Sequence, residues 1–535
     1  MGVTANPPAP AAGTPAPRWV GRPRGLVLGV AFALTSVPII AAAARRAANG
    51  WRPASDDAAI ARIAHDVFSR HSPLLGMPST LNGDVVPRPH HWGPMLFWVL
   101  AIPDRLVASS PVGLLIAVAL LNVASLAGIV VFVNRRLGTG AAAWMLGLLG
   151  LVFFSLGQEV ISSVWNPDIA LMPLALFLIL VWSVACGDTI AAPWAVASGS
   201  FVVQAHIVYT PVVVALGVWG VVGLVATVVD RRHDRSSVDT RASRRHVRRH
   251  IVTALAVAAV CWSTVLYQQV TGHPGNISVV LRSNTTSTSH GIGLSPALHL
   301  ITRMLSFPPL GVVRHSLSGY RGLYNSPSLI TDLVALFVLL APCVAAVRRR
   351  GDRQLRYLVI ASVVMTVASL ITVARLPGDF LEVNPYRVRF VWVAGAFAWF
   401  VLGVVAVRSI RVLRIEGMRA ALATGIALML AFGAIAGSTS HTRRYADLIT
   451  DESSGTIATL SRQLRGRLSR DEPYILRGVY LDNVGYGVMW DLVRHSYDIR
   501  LIRKDPYFGD THAPPRGRGV STLVVIDHAS APPTP

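Results

Sequence analysis

Residues 54–68 of this 535-residue chain read ASDDAAIARIAHDVF. Two adjacent carboxylates, Asp56 and Asp57, follow closely on an apolar run of membrane-spanning length. Acidic side chains beside a bilayer are costly and need a cause. One cause is local: Ser55 is a good helix N-cap, and the first turn of a helix favours negative charge. The other is chemical. A carboxylate at a water–membrane boundary can take the proton of an acceptor hydroxyl as a general base. Alternatively, one of the pair holds a divalent cation, magnesium or manganese, with water and phosphate oxygens. Spacing alone leaves capping and chemistry open. Ile60, Ile63, Ala64 and Val67 then recur at helical spacing. They predict an amphipathic helix lying on the membrane surface, with Asp66 on its solvated side.

Other chemistry-bearing residues stand at the ends of apolar runs. Glu159 offers an alternative base or, with Asp57, a metal ligand. SSVWNPDIALMPLALFLIL (162–180) places Trp165 and Asn166 ahead of one run. Trp165 suits an aromatic stacking platform, although tryptophan is also the ordinary interfacial anchor. GSFVVQAHIVYTP (199–211) places Gln204 and His206 at the end of another run, where a histidine reads equally as a packing residue. His90 and His91, beside Trp92, offer ligands for phosphate or metal. Paired histidines without further spaced ligands are weak metal evidence, and Trp92 reads as an anchor. NPYRVRF (384–390) carries Tyr386, Arg387 and Arg389. Such a guanidinium grips a phosphate with two hydrogen bonds, or snorkels to lipid headgroups.

These residues need a scaffold, and composition says which kind. The chain is 52% hydrophobic and only 14% charged, against about 25% charged in soluble domains. That predicts an α-helical polytopic membrane protein. The net charge of +22 does not imply a nucleic-acid partner, because the arginines cluster in short loops between apolar runs. Eleven stretches approach spanning length: 25–44, 113–133, 142–157, 168–186, 191–206, 208–229, 251–268, 328–347, 356–374, 389–407 and 419–437, the third and fifth being short. Asn134-Arg135-Arg136, Asp230 to His250, RRRGDR (348–353) and RSIRVLR (408–414) then share one side. The positive-inside rule makes that side cytoplasmic, with the N-terminus inside and the C-terminus outside. The longer segments, 45–112 and 269–327 among them, collect on the outer face, which makes it the functional one. One lysine, Lys504, against 48 arginines reads as a GC-rich bacterial genome such as an actinobacterium's, and hence a bacterial plasma membrane. Cys186, Cys261 and Cys343 fall within apolar spans and predict free thiols.

Three units follow. Residues 1–24, rich in Pro and Ala, predict a disordered cytoplasmic arm. Residues 25–438 form the transmembrane unit. Residues 439–535 predict a small external α/β domain, with strands at 473–481, 498–503 and 521–528 and a helix at 485–497. Its role reads as a structural cap or a docking site. The Ser/Thr/Gly/Asn-rich loop 269–327, with sequons at Asn276 and Asn284, suits a mobile lid.

A first span followed by an outer loop opening on an acidic pair resembles the GT-C class of membrane glycosyltransferases. That class includes the protein O-mannosyltransferases, the aminoarabinose transferases of lipid A and the actinobacterial arabinosyltransferases. HHWGPMLFWVLAIP (90–103) resembles the Pro-containing aromatic segment that precedes the second span of that class. The WNP and QAH segments resemble a group of actinobacterial GT-C-like proteins. The match covers residues 25–225 and weakens beyond; the tail after 438 adds little. The resemblance implies an inverting transferase with Asp56 as base and Asp57 at the second acidic position. Its donor would be a sugar on polyprenyl phosphate, and its acceptor an envelope glycan, lipid or protein at the outer face, among membrane lipids. The alternatives are a transporter or flippase of lipid-linked or anionic substrates, and a non-catalytic scaffold of the same fold. A transporter favours ionisable groups at mid-membrane and repeated halves. Few charges lie inside these spans, and no internal repeat is evident.

Overall fold

The computed structural model describes residues 22–79, 87–107, 110–233, 241–286, 290–306, 328–377, 385–410, 416–439, 445–478, 484–501 and 521–525. Most of the expected N-terminal arm therefore lies outside the described residues. Among them, ten helical segments are long and apolar enough to cross a membrane. The crossing helices are α1 (Arg22–Ala48), α4 (Pro111–Leu137), α5 (Thr139–Leu156), α8 (Leu171–Ala185), α10 (Thr210–His233), α11 (Arg241–Thr271), α14 (Leu329–Arg348), α15 (Arg353–Ala374), α16 (Phe390–Ser409) and α17 (Glu416–Thr439). The short helix α7 (Asn166–Ile169) leads into α8 and extends that span. On α10, Val214, Val218, Val221, Val222 and Val225 are all more than half exposed along one helical stripe. Such a surface needs an apolar partner, and beside ten helices of spanning length that partner is lipid. The chain is a multi-pass helical membrane protein.

The fifth expected span is as short as its sequence implies. Helix α9 (Ala191–Ala205) has 15 residues, about 22 Å at 1.5 Å per residue, below the ~30 Å hydrocarbon core. It still runs between the two faces. Just before it, the Thr189 hydroxyl hydrogen-bonds His250, 3.0 Å away. Just after it, the His206 ring lies 4.5 Å from that of His91.

The face at Thr189 is where the basic loops meet. Arg136 lies 3.4 Å from Asp188, Arg353 pairs with Asp230 at 2.5 Å, and Arg408 pairs with Asp352 at 2.6 Å. All four arginine-rich loops thus share one end of the bundle. Opposite them lie the acidic helix α2 (Ser55–His65) and α3 (Met95–Leu106), with the short helix α6 (Gln158–Ile161).

Two local expectations about α2 are corrected. Ser55 does not cap it. Ala54 occupies the cap position with no side-chain bond, and Ser55 adopts φ +50°. That left-handed conformation costs a non-glycine residue about 1–2 kcal/mol and persists only where its surroundings enforce it. Nor does α2 lie on the membrane surface. Asp57, Ala58, Ala59, Ile60, Ala61, Arg62 and Ala64 are all buried, because the helix is sandwiched between α3 and α19 (Tyr486–Arg494) of the C-terminal unit. Asp66, expected on a solvated face, is buried and pairs with Arg62 at 2.5 Å.

The C-terminal unit consists of α18 (Tyr445–Arg465), β1 (Pro473–Gly478), α19, β2 (Asp498–Leu501) and β3 (Ser521–Val525). Both neighbours of β1 are parallel to it, in the order β2-β1-β3. The expected strands and helix are present with shorter bounds; residues 479–483, 502–520 and 526–535 lie outside the described residues. The expected lid contains helices α12 (Asn276–Thr286) and α13 (Leu294–Ser306), with 287–289 and 307–327 outside the described residues. The Asn276 amide is not presented to solvent: it is buried and exchanges two hydrogen bonds with the His90 backbone. Among the described residues all three cysteines are free thiols.

Gly93 marks a close approach. A Cβ added there would overlap the Gln204 amide and Val265. Gln204 cannot yield, since its Nε2 donates to Cys261 O and its Oε1 accepts from Met95 N. Gly93→Ala is expected to cost about 1–3 kcal/mol, seen as a lowered melting temperature of the detergent-solubilised chain.

Candidate active site

The first turn of α2 delivers the half-buried Asp56 to the start of the WNP segment. Trp165 Nε1 donates to Asp56 Oδ2 at 2.9 Å. The backbone of Trp165 is set by the Ser163 hydroxyl and by the turn into α7. The Trp165 ring lies 4.3 Å from that of Tyr386, between centroids, and the Tyr386 ring meets His206 edge-on at 5.9 Å. The His91 ring completes the row. Five expected residues, Asp56, Trp165, Tyr386, His206 and His91, thus form one continuous chain of contacts at the face opposite the basic loops.

Arg387 is 1% exposed, with its guanidinium 5.6 Å from the Tyr386 ring centre and its Nε donating to the Tyr386 hydroxyl. It is an interior cation, buried away from lipid headgroups, and therefore does not snorkel. Arg389 is corrected as a phosphate ligand: it is 2% exposed and ion-paired with Asp168, which is as deeply buried. A guanidinium neutralised in this way holds α7 to the start of α16. Gln204 is 0% exposed, and its amide is engaged as described, so it ties α3, α9 and α11 together and is not open to substrate. Asn166 likewise is buried and donates to Ala205 O. Glu159 sits half-buried on α6 against α1 and α5.

The histidine pair is also corrected. His90 is held by its backbone to Asn276 and directs its ring at Arg88 O. His91 Nδ1 accepts from Ile207 N. Burial pushes the His91 imidazole down to about 3, with His90 and Arg387 adding in the same direction. His91 is therefore neutral at neutral pH and cannot clamp a phosphate by charge. The unfolded chain takes up this proton near 6.5 and the folded chain does not until about 3, so stability falls as pH drops through that window. The slope from this group is about 1.4 kcal/mol per pH unit. Melting curves should show it in the wild type, and His91→Gln should flatten it.

Among the described residues no three His, Cys, Asp or Glu side chains converge as a metal site. Asp56 has one oxygen engaged by Trp165, and Asp57 is buried. This donor set does not build a dedicated cage for magnesium or manganese.

A cavity of about 810 Å³ adjoins the row on its His206 side. Ile207, Val208, Trp92 and Leu376 give it apolar walls, and His290 and Arg375 are exposed at its edge. Trp92, expected as an anchor, lines this cavity and donates to Thr210 Oγ1 at 2.9 Å.

Sequence reasoning missed Asp168, although it follows WNP directly. It also missed Arg46, whose guanidinium bonds Ser162 O at 3.1 Å and stacks on Trp51. Tyr209, which donates to Pro167 O at 2.5 Å, was missed as well. Each stands one to three residues from a motif or apolar boundary that was recognised.

No family model matches the chain, and no curated protein is similar to it. Among solved structures it is similar to ArnT from Cupriavidus metallidurans. Against the apo state the identity is 18% and the TM-score 0.40, covering 92% of this chain and 88% of that one. Against the form bound to undecaprenyl phosphate they are 18% and 0.42, covering 94% and 90%. Overlap of this size leaves the function to be argued from the site.

Proposed function

We propose that the chain is an inverting membrane glycosyltransferase of GT-C type. It moves a sugar from a polyprenyl-phosphate donor to a cell-envelope acceptor at the face bearing Asp56. By the positive-inside rule that face is extracytoplasmic. One observation carries the reading: the acidic pair, the WNP segment, YRVR and the QAH segment lie far apart in sequence yet line up in one row of contacts that begins at the Asp56 carboxylate.

In the reaction, Asp56 accepts the proton of the acceptor hydroxyl. The freed oxygen attacks the anomeric carbon from the side opposite the phosphate. A carbon–oxygen bond forms, the bond from that carbon to the phosphate oxygen breaks, and polyprenyl phosphate leaves with the electron pair. The Trp165–Tyr386 pair offers a face for the sugar. Arg387 supplies positive charge beside it, where little water screens it. The adjoining cavity, apolar with the Arg375 guanidinium at its edge, suits a lipid-linked anion. No step is assigned to a metal.

Trp165→Phe provides a graded test. It keeps a ring for the sugar and removes the donor on Asp56. Without that anchor the carboxylate is no longer held in line with the acceptor hydroxyl, and misplacement by about 1 Å can cost on the order of a hundredfold, so kcat should fall roughly 10–100-fold with the donor KM little changed. An unchanged kcat would sever Trp165 from the chemistry. The assay is release of polyprenyl phosphate by the reconstituted chain, with radiolabelled mannose, arabinose and aminoarabinose donors tried in turn.

A further inference from the structure

The stretch that enters α2, Arg52 to Ser55, is gripped from the far end of the chain. Ser454 on α18 brackets Arg52: its hydroxyl accepts from Arg52 N at 3.0 Å and donates to Arg52 O at 3.3 Å. The Arg52 guanidinium reaches Asp491 Oδ1 on α19 at 2.6 Å. Asp491 is 0% exposed and is held in place by Arg494, at 2.7 and 3.0 Å. Next along, the Pro53 carbonyl lies against Gly487, where an added Cβ would stand 2.7 Å from the oxygen. Two residues later comes the left-handed Ser55, and then Asp56. A strained residue stays strained only where its surroundings fix it on both sides. Downstream, the packing of α2 on α3 does this; upstream, Trp51 is tied back to Arg46 on α1, and the contacts to the C-terminal unit fix the residues between Trp51 and Ser55.

We infer that the C-terminal α/β unit is part of the catalytic assembly, with Arg52 and Asp491 as positioning residues that set the height and direction of Asp56. This rests on the transferase reading of Asp56. Arg52 and Asp491 touch no substrate. Their effect passes through the backbone of residues 52–56. The unit is thereby neither a cap nor a docking module alone: removing its grip leaves the carboxylate present but misplaced. Misplacement by about 1 Å can cost on the order of a hundredfold in rate.

The test compares Arg52→Ala, Asp491→Ala and Arg52→Lys in the full chain, with Arg500→Ala, an exposed ion pair on β2, as control. Amide hydrogen exchange is read over residues 53–60, and kcat and KM are read with the radiolabelled polyprenyl-phosphate donors. The expected result is faster exchange in both alanine variants and kcat lower by roughly 10–100-fold at an unchanged donor KM. Arg52→Lys should recover most of both, and the control should match the wild type. Unchanged exchange would overturn the inference whatever the activity, as would faster exchange with full turnover, or a loss confined to KM. If Asp491→Ala fails to fold, Arg52→Ala decides alone. Full activity in Asp56→Asn would sink the base assignment instead, and the exchange data would still judge the grip.

Discussion

Asp56→Asn is expected to leave a folded chain that transfers sugar on the order of 100- to 10,000-fold more slowly than the wild type, the range associated with losing a general base. The substitution is close to isosteric. An asparagine oxygen still accepts from Trp165 Nε1, so the row from Trp165 through Tyr386 to His206 should keep its geometry. What disappears is the capacity to take a proton. Initial rates, beside a size-exclusion profile that matches the wild type, separate this from misfolding. Turnover within a fewfold of wild type would remove Asp56 from the mechanism and return the acidic pair to a purely structural role.

The second large effect concerns stability. Asp168 and Arg389 are 2% and 3% exposed in their side chains and ion-paired across 221 residues of sequence. A buried pair of this kind need not stabilise the fold relative to apolar residues, but losing one partner strands the other charge. Asp168→Ala should therefore cost about 3–5 kcal/mol and depress the melting temperature or abolish recovery of the protein. Asp168→Leu combined with Arg389→Met should restore much of that loss. If the double variant were no better than the single one, the pair would matter for more than charge balance.

The bundle was largely legible in the sequence, because lipid imposes long apolar runs that composition reveals directly. Helix α9, already short in the sequence, can stay below spanning length because its neighbours α8 and α11 pack along it. The site was legible in part. Asp56, Trp165, Tyr386 and His206 were identified from residue type and resemblance, and they meet. Roles that depend on a distant partner were not legible. Arg389 looked like a phosphate ligand because nothing near it in sequence announces Asp168. Gln204 looked available because its partners Cys261 O and Met95 N are backbone atoms on other elements. The helix α2 looked like a surface helix because its periodicity shows one apolar face. What covers its other side arrives through Asp491, 439 positions beyond Arg52. Ser55 looked like a cap because a serine before two acids usually is one. Its φ of +50° is not announced by any neighbouring residue type.

Chemical transfer at the face bearing Asp56 is measurably distinct from passage of a lipid-linked substrate across the bilayer. The direct measurement places the chain in proteoliposomes with a radiolabelled sugar on polyprenyl phosphate and an envelope acceptor fraction. Label on acceptor and free polyprenyl phosphate are then counted together. A transferase should give the two one for one, only when the acceptor meets the Asp56 face, with the anomeric configuration inverted. Label that changes leaflet while still joined to its lipid, with no polyprenyl phosphate released, would contradict it and point to a transporter.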